Sequence, residues 1–350
     1  MSAAELAPRR HDSIDGVREP AENPLLVGHH GARQNLAKAF NEGRLHHALL
    51  LAGPFGIGKA TLAFHLARHV LAGPGTAPAD DLLLVEESAQ LFRTVAQGSH
   101  AAVLHLTRPA NERTKGFKTV VTVDEIRRVG KLLSLSAHDG GYRVVIVDPA
   151  DDLNASAANA LLKNLEEPPA RTLFLLITHV PGRLMPTIRS RCQLIRLGPL
   201  ADAEVAEAMT GLGLALPADP QDRAALLRRA VGSVRNAILL TEYGGLEIAN
   251  TIDSILQGRA FDLALASRLA DAVTGRDATI QFDMFNEHLL GALSAAAANT
   301  AQSDATGAAA EQAGTWSQLR DDIAATETYN LDKRHHVMTS LRKTYDCLHQ

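Results

Sequence analysis

The chain has 350 residues, enough for two or three domains with buried cores, and its net charge of −4 excludes a general affinity for nucleic acid or anionic membranes. Cys192 and Cys347 are too few for a disulfide framework or a four-cysteine zinc site, so we expect no zinc. No stretch reaches the roughly 18 apolar residues of a transmembrane helix, and we expect a cytoplasmic protein without membrane contact.

The first 23 residues are polar and have no apolar core, so they predict a flexible tail rather than a signal peptide. From residue 24 to 198, candidate strands and helices alternate, which predicts an α/β domain with helices on both faces of a parallel sheet. The candidate strands are Ala48–Ala52, Val103–Leu106, Arg143–Val147, Thr172–Thr178 and 193–197.

Residues 53–61 (GPFGIGKAT) follow the first candidate strand and precede an apolar helical stripe, the context of a phosphate-binding loop. Gly53, Gly56 and Gly58 let backbone N–H groups converge on an anion, and Lys59 would reach the outer phosphates. The full pattern has Ser or Thr directly after the lysine to hold Mg²⁺, but this chain has Ala60. Thr61 would supply the hydroxyl only if the helix began one residue late. We therefore expect ATP or ADP to bind without efficient hydrolysis, and the case for Mg²⁺ is weak.

The strand 144–147 ends in Asp148, a carboxylate that in a nucleotide-binding sheet orients Mg²⁺ and its waters. A hydrolysing enzyme of this type usually has Glu next, to polarise the attacking water, but the next residue is Pro149. We expect Asp151 and Asp152 to cap the helix that follows. Thr178 either points at a γ-phosphate or merely ends its strand.

After Gly198-Pro199 the strand signals stop and alanine becomes dense, which predicts a small helical bundle over 201–257 and a second helical domain over 262–350, with a loop near 301–314. Arg235 lies near a helix start, where it opposes the helix dipole; it is either a solvated side chain or one placed for an anionic partner. A further basic segment, for which we expect a solvated loop rather than a DNA contact, contains Arg108, Arg113, Lys115 and Lys118.

Four segments in this order resemble the clamp-loader branch of the AAA+ ATPases: His46-His47-Ala48 before the phosphate loop, the strand ending in Asp148, the segment 154–169 (NASAANALLKNLEEPP), and Ile188-Arg189-Ser190-Arg191-Cys192. The resemblance covers roughly residues 24–240. It implies a RecA-like nucleotide-binding domain over 24–198, a helical lid over 199–260, and a collar domain over 261–350 that assembles a hetero-pentamer.

Within this branch, the chain is similar to stator subunits with weak or absent ATPase activity. The resemblance implies gamma/tau and delta subunits of DNA polymerase III as partners, and contact with the sliding clamp and primer-template DNA through the complex. It implies that Arg191 acts in trans on a neighbour's ATP. The nucleotide-binding residues that it implies are Gly53, Gly56, Gly58, Lys59, Thr61, Asp148, Thr178 and Arg235.

Two other functions stay open at this point. One is an active motor ATPase of the gamma/tau type, against which Ala60 and Pro149 argue. The other is a stand-alone AAA+ ATPase, against which the Ser-Arg-Cys segment argues. Relatives in this family often carry a four-cysteine zinc module after the first helix, but residues 72–100 contain no cysteine.

Overall fold

The computed structural model describes residues 6–73, 80–111, 116–134, 141–276, 278–303 and 306–349. Residue contacts divide the chain into two compact units, 1–237 and 238–350.

The first unit is built on a five-stranded parallel sheet. Its strands, all at the predicted places, are β1 (Ala48–Ala52), β2 (Val103–Leu106), β3 (Arg143–Val147), β4 (Thr172–Thr178) and β5 (Gln193–Arg196). Their order across the sheet is β2-β3-β4-β1-β5, and every neighbouring pair is parallel. Because all strands run the same way, the loops after β1, β3 and β4 meet at one edge of the sheet.

Helices cover both faces of this sheet, because consecutive strand residues alternate between two buried cores. Leu49 and Leu51 face one core and Leu50 faces the other. The first core holds α1 (His30–Asn41), α2 (Lys59–Ala72) and α3 (Gln90–Ala96); the second holds α4 (Val123–Ser134), α5 (Ala155–Glu166) and α6 (Pro186–Arg189). The predicted α/β architecture is confirmed.

Residues 6–23 differ from the flexible tail that their polarity predicts. Ile14 and Ala21 are buried, and the backbone N–H groups of Leu6 and Ala7 donate to the carboxylate of Glu22. The buried Arg68 of α2 donates to Ala21 O. The segment is therefore fastened to the first unit by apolar and polar contacts.

After Arg196 the described residues contain helices and turns but no further strand. The helices are α7 (Asp202–Gly211), α8 (Pro220–Ala230), α9 (Val234–Glu242), α10 (Gly245–Gln257), α11 (Leu263–Val273), α12 (Thr279–Gln302), α13 (Thr306–Tyr329) and α14 (Lys333–Leu348). Helices α10 to α14 enclose the core of the second unit, centred on Ile252, Phe285, Leu289 and Leu341.

The loop predicted near 301–314 is wrong, because residues 306–314 belong to α13. The alanines at 308–310 favour helix strongly enough to outweigh Gly307 and Gly314. The contacts divide the chain within α9, and α10 packs with the C-terminal helices. Domain boundaries near 198 and 260 stay a prediction.

Among the described residues, no helix is both long and apolar enough to cross a bilayer.

Candidate functional site

The loop between β1 and α2 has the backbone of a phosphate cradle. Gly56 and Gly58 have φ values of 75° and 92°, a region that glycine adopts without strain. Helix α2 begins at Lys59 itself, with Gly58 as its N-cap, so the N–H groups of its first turn open towards the loop. The helix does not begin one residue late. Ala60, and not Thr61, therefore occupies the position at which the full pattern has a hydroxyl for Mg²⁺.

Lys59 points back into this loop. Its side chain is buried, and Nζ donates to Gly53 O at 2.8 Å and to Pro54 O at 2.5 Å. Burial lowers the pKa of Lys59 to about 8, against the opposing attraction of Asp148 and Asp151. The ammonium is thus partly desolvated and satisfied by two carbonyls, which a phosphate could replace as its partners.

Asp148 lies at the same edge of the sheet, directly after β3, and it is engaged by a cation from its own chain. Arg10 Nη1 donates to Asp148 Oδ2, and both side chains are only 9% exposed. His105 Nε2 lies 3.8 Å from the same oxygen. Burial alone would raise the pKa of Asp148, but the charge of Arg10 and the contact with His105 hold it below its ordinary value.

Thr178 ends β4 beside this carboxylate, fully buried, and its hydroxyl donates to Asp151 Oδ1 at 2.5 Å. Asp151 also accepts from the backbone N–H of His179 at 2.6 Å. The expectation that Asp151 and Asp152 cap the next helix is wrong: Asn154 caps α5, accepting from Ala157 N, because Asp151 is turned towards the end of β4.

Asp152 instead pairs with Arg108 at 2.5 Å. Arg108 therefore has a partner within the fold, whereas Lys118 is exposed. Arg113 and Lys115, the other basic residues of this predicted loop, lie outside the described residues.

Arg235 approaches the phosphate loop from the first turn of α9. The N–H groups of Val234 and Arg235 donate to Gly56 O, at 3.0 Å and 3.4 Å. The Arg235 guanidinium lies 5.0 Å from the centre of the Phe55 ring and donates to Asp12 O. The structure thus brings Arg235 to the loop, together with a backbone carbonyl of the N-terminal segment.

Arg191 lies elsewhere. It precedes β5, as His46 and His47 precede β1, so all three are at the opposite edge of the sheet from the phosphate loop. Arg191 is 35% exposed and lines a surface cavity of about 400 Å³, where it pairs with Glu166 at 2.7 Å and donates to Thr187 O at 3.0 Å.

The neighbouring Cys192 lines the same cavity. Burial raises the pKa of its thiol to about 11, so it stays protonated at neutral pH and is a poor nucleophile.

Seven of the predicted residues therefore meet at one place, the three glycines of the phosphate loop among them. The phosphate loop, Lys59, Asp148 and Thr178 share the carboxyl edge of the sheet, and Arg235 closes on the loop from α9. Sequence reasoning missed Arg10 and Asp151. Arg10 has no signal of its own, because 138 positions separate it from Asp148. The sequence shows Asp151 as an acid near a strand end, but it does not show that the side chain turns towards the end of β4.

Within the described part of the chain, no group of three His, Cys, Asp or Glu side chains is arranged to hold a metal ion. The absence of zinc stays a prediction for the whole chain.

Comparison with known proteins shows the family of this chain. A family model described as DNA polymerase III, delta subunit, matches residues 28–201. The chain is 35% identical over 250 residues to DNA polymerase III subunit delta' of Pseudomonas aeruginosa, covering 71% of each chain. It is 34% identical to subunit delta' of Escherichia coli, over 63% of this chain and 61% of that one.

The tau/gamma subunit of Haemophilus influenzae matches less well. It is 27% identical over 67% of this chain and 33% of its own length. The identity and the matched share of the relative's own length both favour the delta' relatives, and the chain belongs to the family of DNA polymerase III delta' subunits.

Proposed function

We propose that this chain is a stator subunit of a bacterial clamp loader, which hydrolyses little or no ATP itself and supplies Arg191 to the ATP of a neighbouring subunit. One observation carries the proposal. The phosphate loop and Arg191 lie at opposite edges of one parallel sheet, and β1, which joins the two edges, spans five residues, about 17 Å. Arg191 therefore cannot serve its own loop and is available to another chain.

The chain's own site lacks two groups that ATP hydrolysis needs. Ala60 has no hydroxyl for a metal ion, and Pro149 has no acid to polarise water. Each loss removes a contribution to transition-state stabilisation of a few kcal/mol, and together they would slow hydrolysis by on the order of 10³-fold or more. Asp151, the next acid after Pro149 along the chain, already accepts from Thr178 and His179.

Nucleotide binding without turnover is part of the proposal. The cradle formed by Gly53, Gly56 and Gly58 is intact, and Lys59 is held beside it by carbonyl groups. Backbone N–H groups and a lysine bind phosphate without metal chemistry. ATP or ADP would lie along this loop, with Thr61 and Thr178 near the phosphates and Arg235 closing from α9. Titration calorimetry with millimolar ADP checks this part separately.

The role of Arg191 is supported by its present partners. Glu166 is half exposed, and Thr187 O belongs to α6, which ends two residues before Arg191. A guanidinium is planar and permanently charged, and its fork fits phosphate oxygens. An incoming phosphate could therefore take over from Glu166 at little cost, since an exposed ion pair contributes only about 0–1 kcal/mol.

The proposed partners are the gamma/tau and delta subunits, which would form a hetero-pentamer with this chain. Contact with the sliding clamp and primer-template DNA would come through that complex. The net charge of −4 supports indirect DNA contact, because the chain has no general excess of basic residues. We propose a cytoplasmic location, in keeping with the proposed role in DNA replication.

The test is co-purification combined with ATP turnover. We expect the chain to co-purify with gamma/tau and delta subunits and to hydrolyse ATP negligibly when alone. A turnover of the isolated chain near the roughly 1–100 per second of phosphoryl-transfer enzymes would support the motor ATPase instead. Failure to join the other subunits would support a stand-alone protein.

A further inference from the structure

The N-terminal segment reaches both sides of the candidate nucleotide site. Arg10 donates to Asp148, and Asp12 offers its carbonyl oxygen to Arg235. Asp148 follows β3, whereas Arg235 comes from α9, so residues 10–12 bridge two elements that flank the phosphate loop.

Arg10 is built into this position. Its Nε donates to Glu19 at 3.0 Å and its Nη2 lies 3.6 Å from Asp12, in addition to the contact with Asp148. A side chain that is 9% exposed and surrounded by three carboxylates is not a solvated surface charge. These contacts raise the pKa of Arg10 despite its burial, so the guanidinium stays charged.

The residues present do not fit Mg²⁺. This ion needs near-octahedral oxygen coordination, to which a hydroxyl after the lysine and the carboxylate after β3 would contribute. The first is absent at Ala60, and Oδ2 of Asp148 accepts from Arg10. A guanidinium in contact with the carboxylate also repels a divalent cation directly.

We infer that Arg10 is a resident cation that takes the place of Mg²⁺ beside Asp148, so that this site excludes divalent metal. The contact supports the exchange, because the buried carboxylate of Asp148 already has a permanent positive charge of the same chain as its partner. The inference concerns metal exclusion first. It extends to metal-independent nucleotide binding, and that extension rests on the proposed nucleotide binding.

The test measures Mn²⁺ binding to the full chain by electron paramagnetic resonance without nucleotide. Wild type should show no site that depends on Asp148. Arg10→Gln should bind Mn²⁺ at least about tenfold more tightly than wild type does, because the substitution removes a unit positive charge from beside the Asp148 carboxylate. Adding Asp148→Asn to Arg10→Gln should abolish the gain. Arg10→Lys keeps the charge and should exclude Mn²⁺ as wild type does.

Arg9→Gln is the matched control. Arg9 lies beside Arg10 in sequence but pairs with Asp15 at an exposed position, so the Arg9→Gln variant should exclude Mn²⁺ as wild type does. A wild-type Mn²⁺ site that disappears in Asp148→Asn would overturn the inference, even if Arg10→Gln failed to fold. A folded Arg10→Gln that gained no Mn²⁺ affinity would also overturn it.

A second arm measures ADP affinity by calorimetry in Mg²⁺ and in EDTA. Wild type should change less than about twofold between the two, whereas Arg10→Gln should become dependent on Mg²⁺. A wild-type affinity that is tenfold higher with Mg²⁺ would contradict the inference. If no ADP binds under either condition, the proposed nucleotide binding fails, and the Mn²⁺ measurement still decides the role of Arg10.

Discussion

His65 is fully buried in α2, with its Nε2 3.0 Å from the carbonyl of Asn23. Burial, aided by the charge of Arg68, lowers its pKa from 6.5 to about 4. The unfolded chain therefore takes up a proton on His65 between about pH 6.5 and 4, while the folded chain does not. Because the unfolded state binds more protons in this window, stability contributed by the neutral ring is lost as the pH falls through it.

We expect the free energy of unfolding of His65→Gln to fall less between pH 7 and pH 5 than that of wild type. For His65 alone, the shift corresponds to a loss of on the order of 2 kcal/mol in the free energy of unfolding between pH 7 and pH 5. Urea unfolding followed by far-UV circular dichroism at both pH values measures the difference. His335→Gln, at an exposed position, is the control and should keep the full loss. An equal loss in all three proteins would mean that His65 does not titrate in this window.

Single residues show where sequence reasoning succeeds and where it stops. Gly58 and Lys59 were predictable because the phosphate loop is local: its glycines, lysine and helix start lie within nine positions. Arg10 was not predictable, because its partner is 138 positions away and a polar N-terminus resembles a solvated one. Burial of a charge depends on tertiary contacts that no short motif records.

At the scale of elements, the contact between the phosphate loop and α9 leaves no room for a side chain at Gly56. An added Cβ there would lie 2.6 Å from Arg235 Cβ and closer still to Ser233 Oγ. We expect Gly56→Ala to lower the free energy of unfolding of the first unit by about 2–4 kcal/mol, from the clash together with a φ of 75°.

Gly43→Ala separates these two causes. Gly43 has a similar φ of 66°, but nothing lies within 4 Å of an added Cβ. It should therefore cost only the backbone strain, about 1 kcal/mol. Urea unfolding by circular dichroism compares the two variants. If Gly56→Ala costs no more than Gly43→Ala, the loop does not pack against α9 as described.

Helix α13 gives a second test at this scale, because the sequence predicted a loop where residues 306–314 are helical. Gly314 is an exposed position in α13, with nothing within 4 Å of an added Cβ. Gly314→Ala should raise the free energy of unfolding by about 1 kcal/mol, and Gly314→Pro should lower it by about 3 kcal/mol.

The fluorescence of Trp316 reports this unfolding, since Trp316 is the chain's only tryptophan and lies in α13. If residues 306–314 formed a loop instead of a helix, Gly314→Ala and Gly314→Pro would both change the free energy of unfolding little. The strands were easier to predict than this helix end, because buried parallel strands are short apolar runs bounded by turns. In the alanine-rich region, helices and the segments that connect them have similar compositions, so the sequence does not show where one helix ends and the next begins.

At the scale of the whole molecule, the parallel sheet separates two chemistries. Its carboxyl edge carries the phosphate loop of the candidate site, with Ala60 and Pro149 where hydrolysis needs a hydroxyl and an acid, and its opposite edge carries Arg191 beside an open cavity. The sequence predicted both motifs and the parallel sheet, and the direction of the strands then places the motifs at opposite edges. The division of the chain within α9 was not predictable, because helical periodicity does not show which core an alanine-rich helix joins.

The central claim is that Arg191 acts on a neighbour's ATP. It is tested most directly in a clamp loader reconstituted with Arg191→Ala, with Arg189→Ala as the matched control, since Arg189 is exposed two positions away in the same segment. The measurement is ATP hydrolysis stimulated by clamp and primed DNA, with assembly checked by gel filtration. Arg191→Ala should assemble normally but slow hydrolysis at the site it serves by roughly 10³–10⁵-fold, with loss of clamp loading, whereas Arg189→Ala should change little. An Arg191→Ala complex that hydrolyses ATP and loads clamps at the wild-type rate would contradict the account.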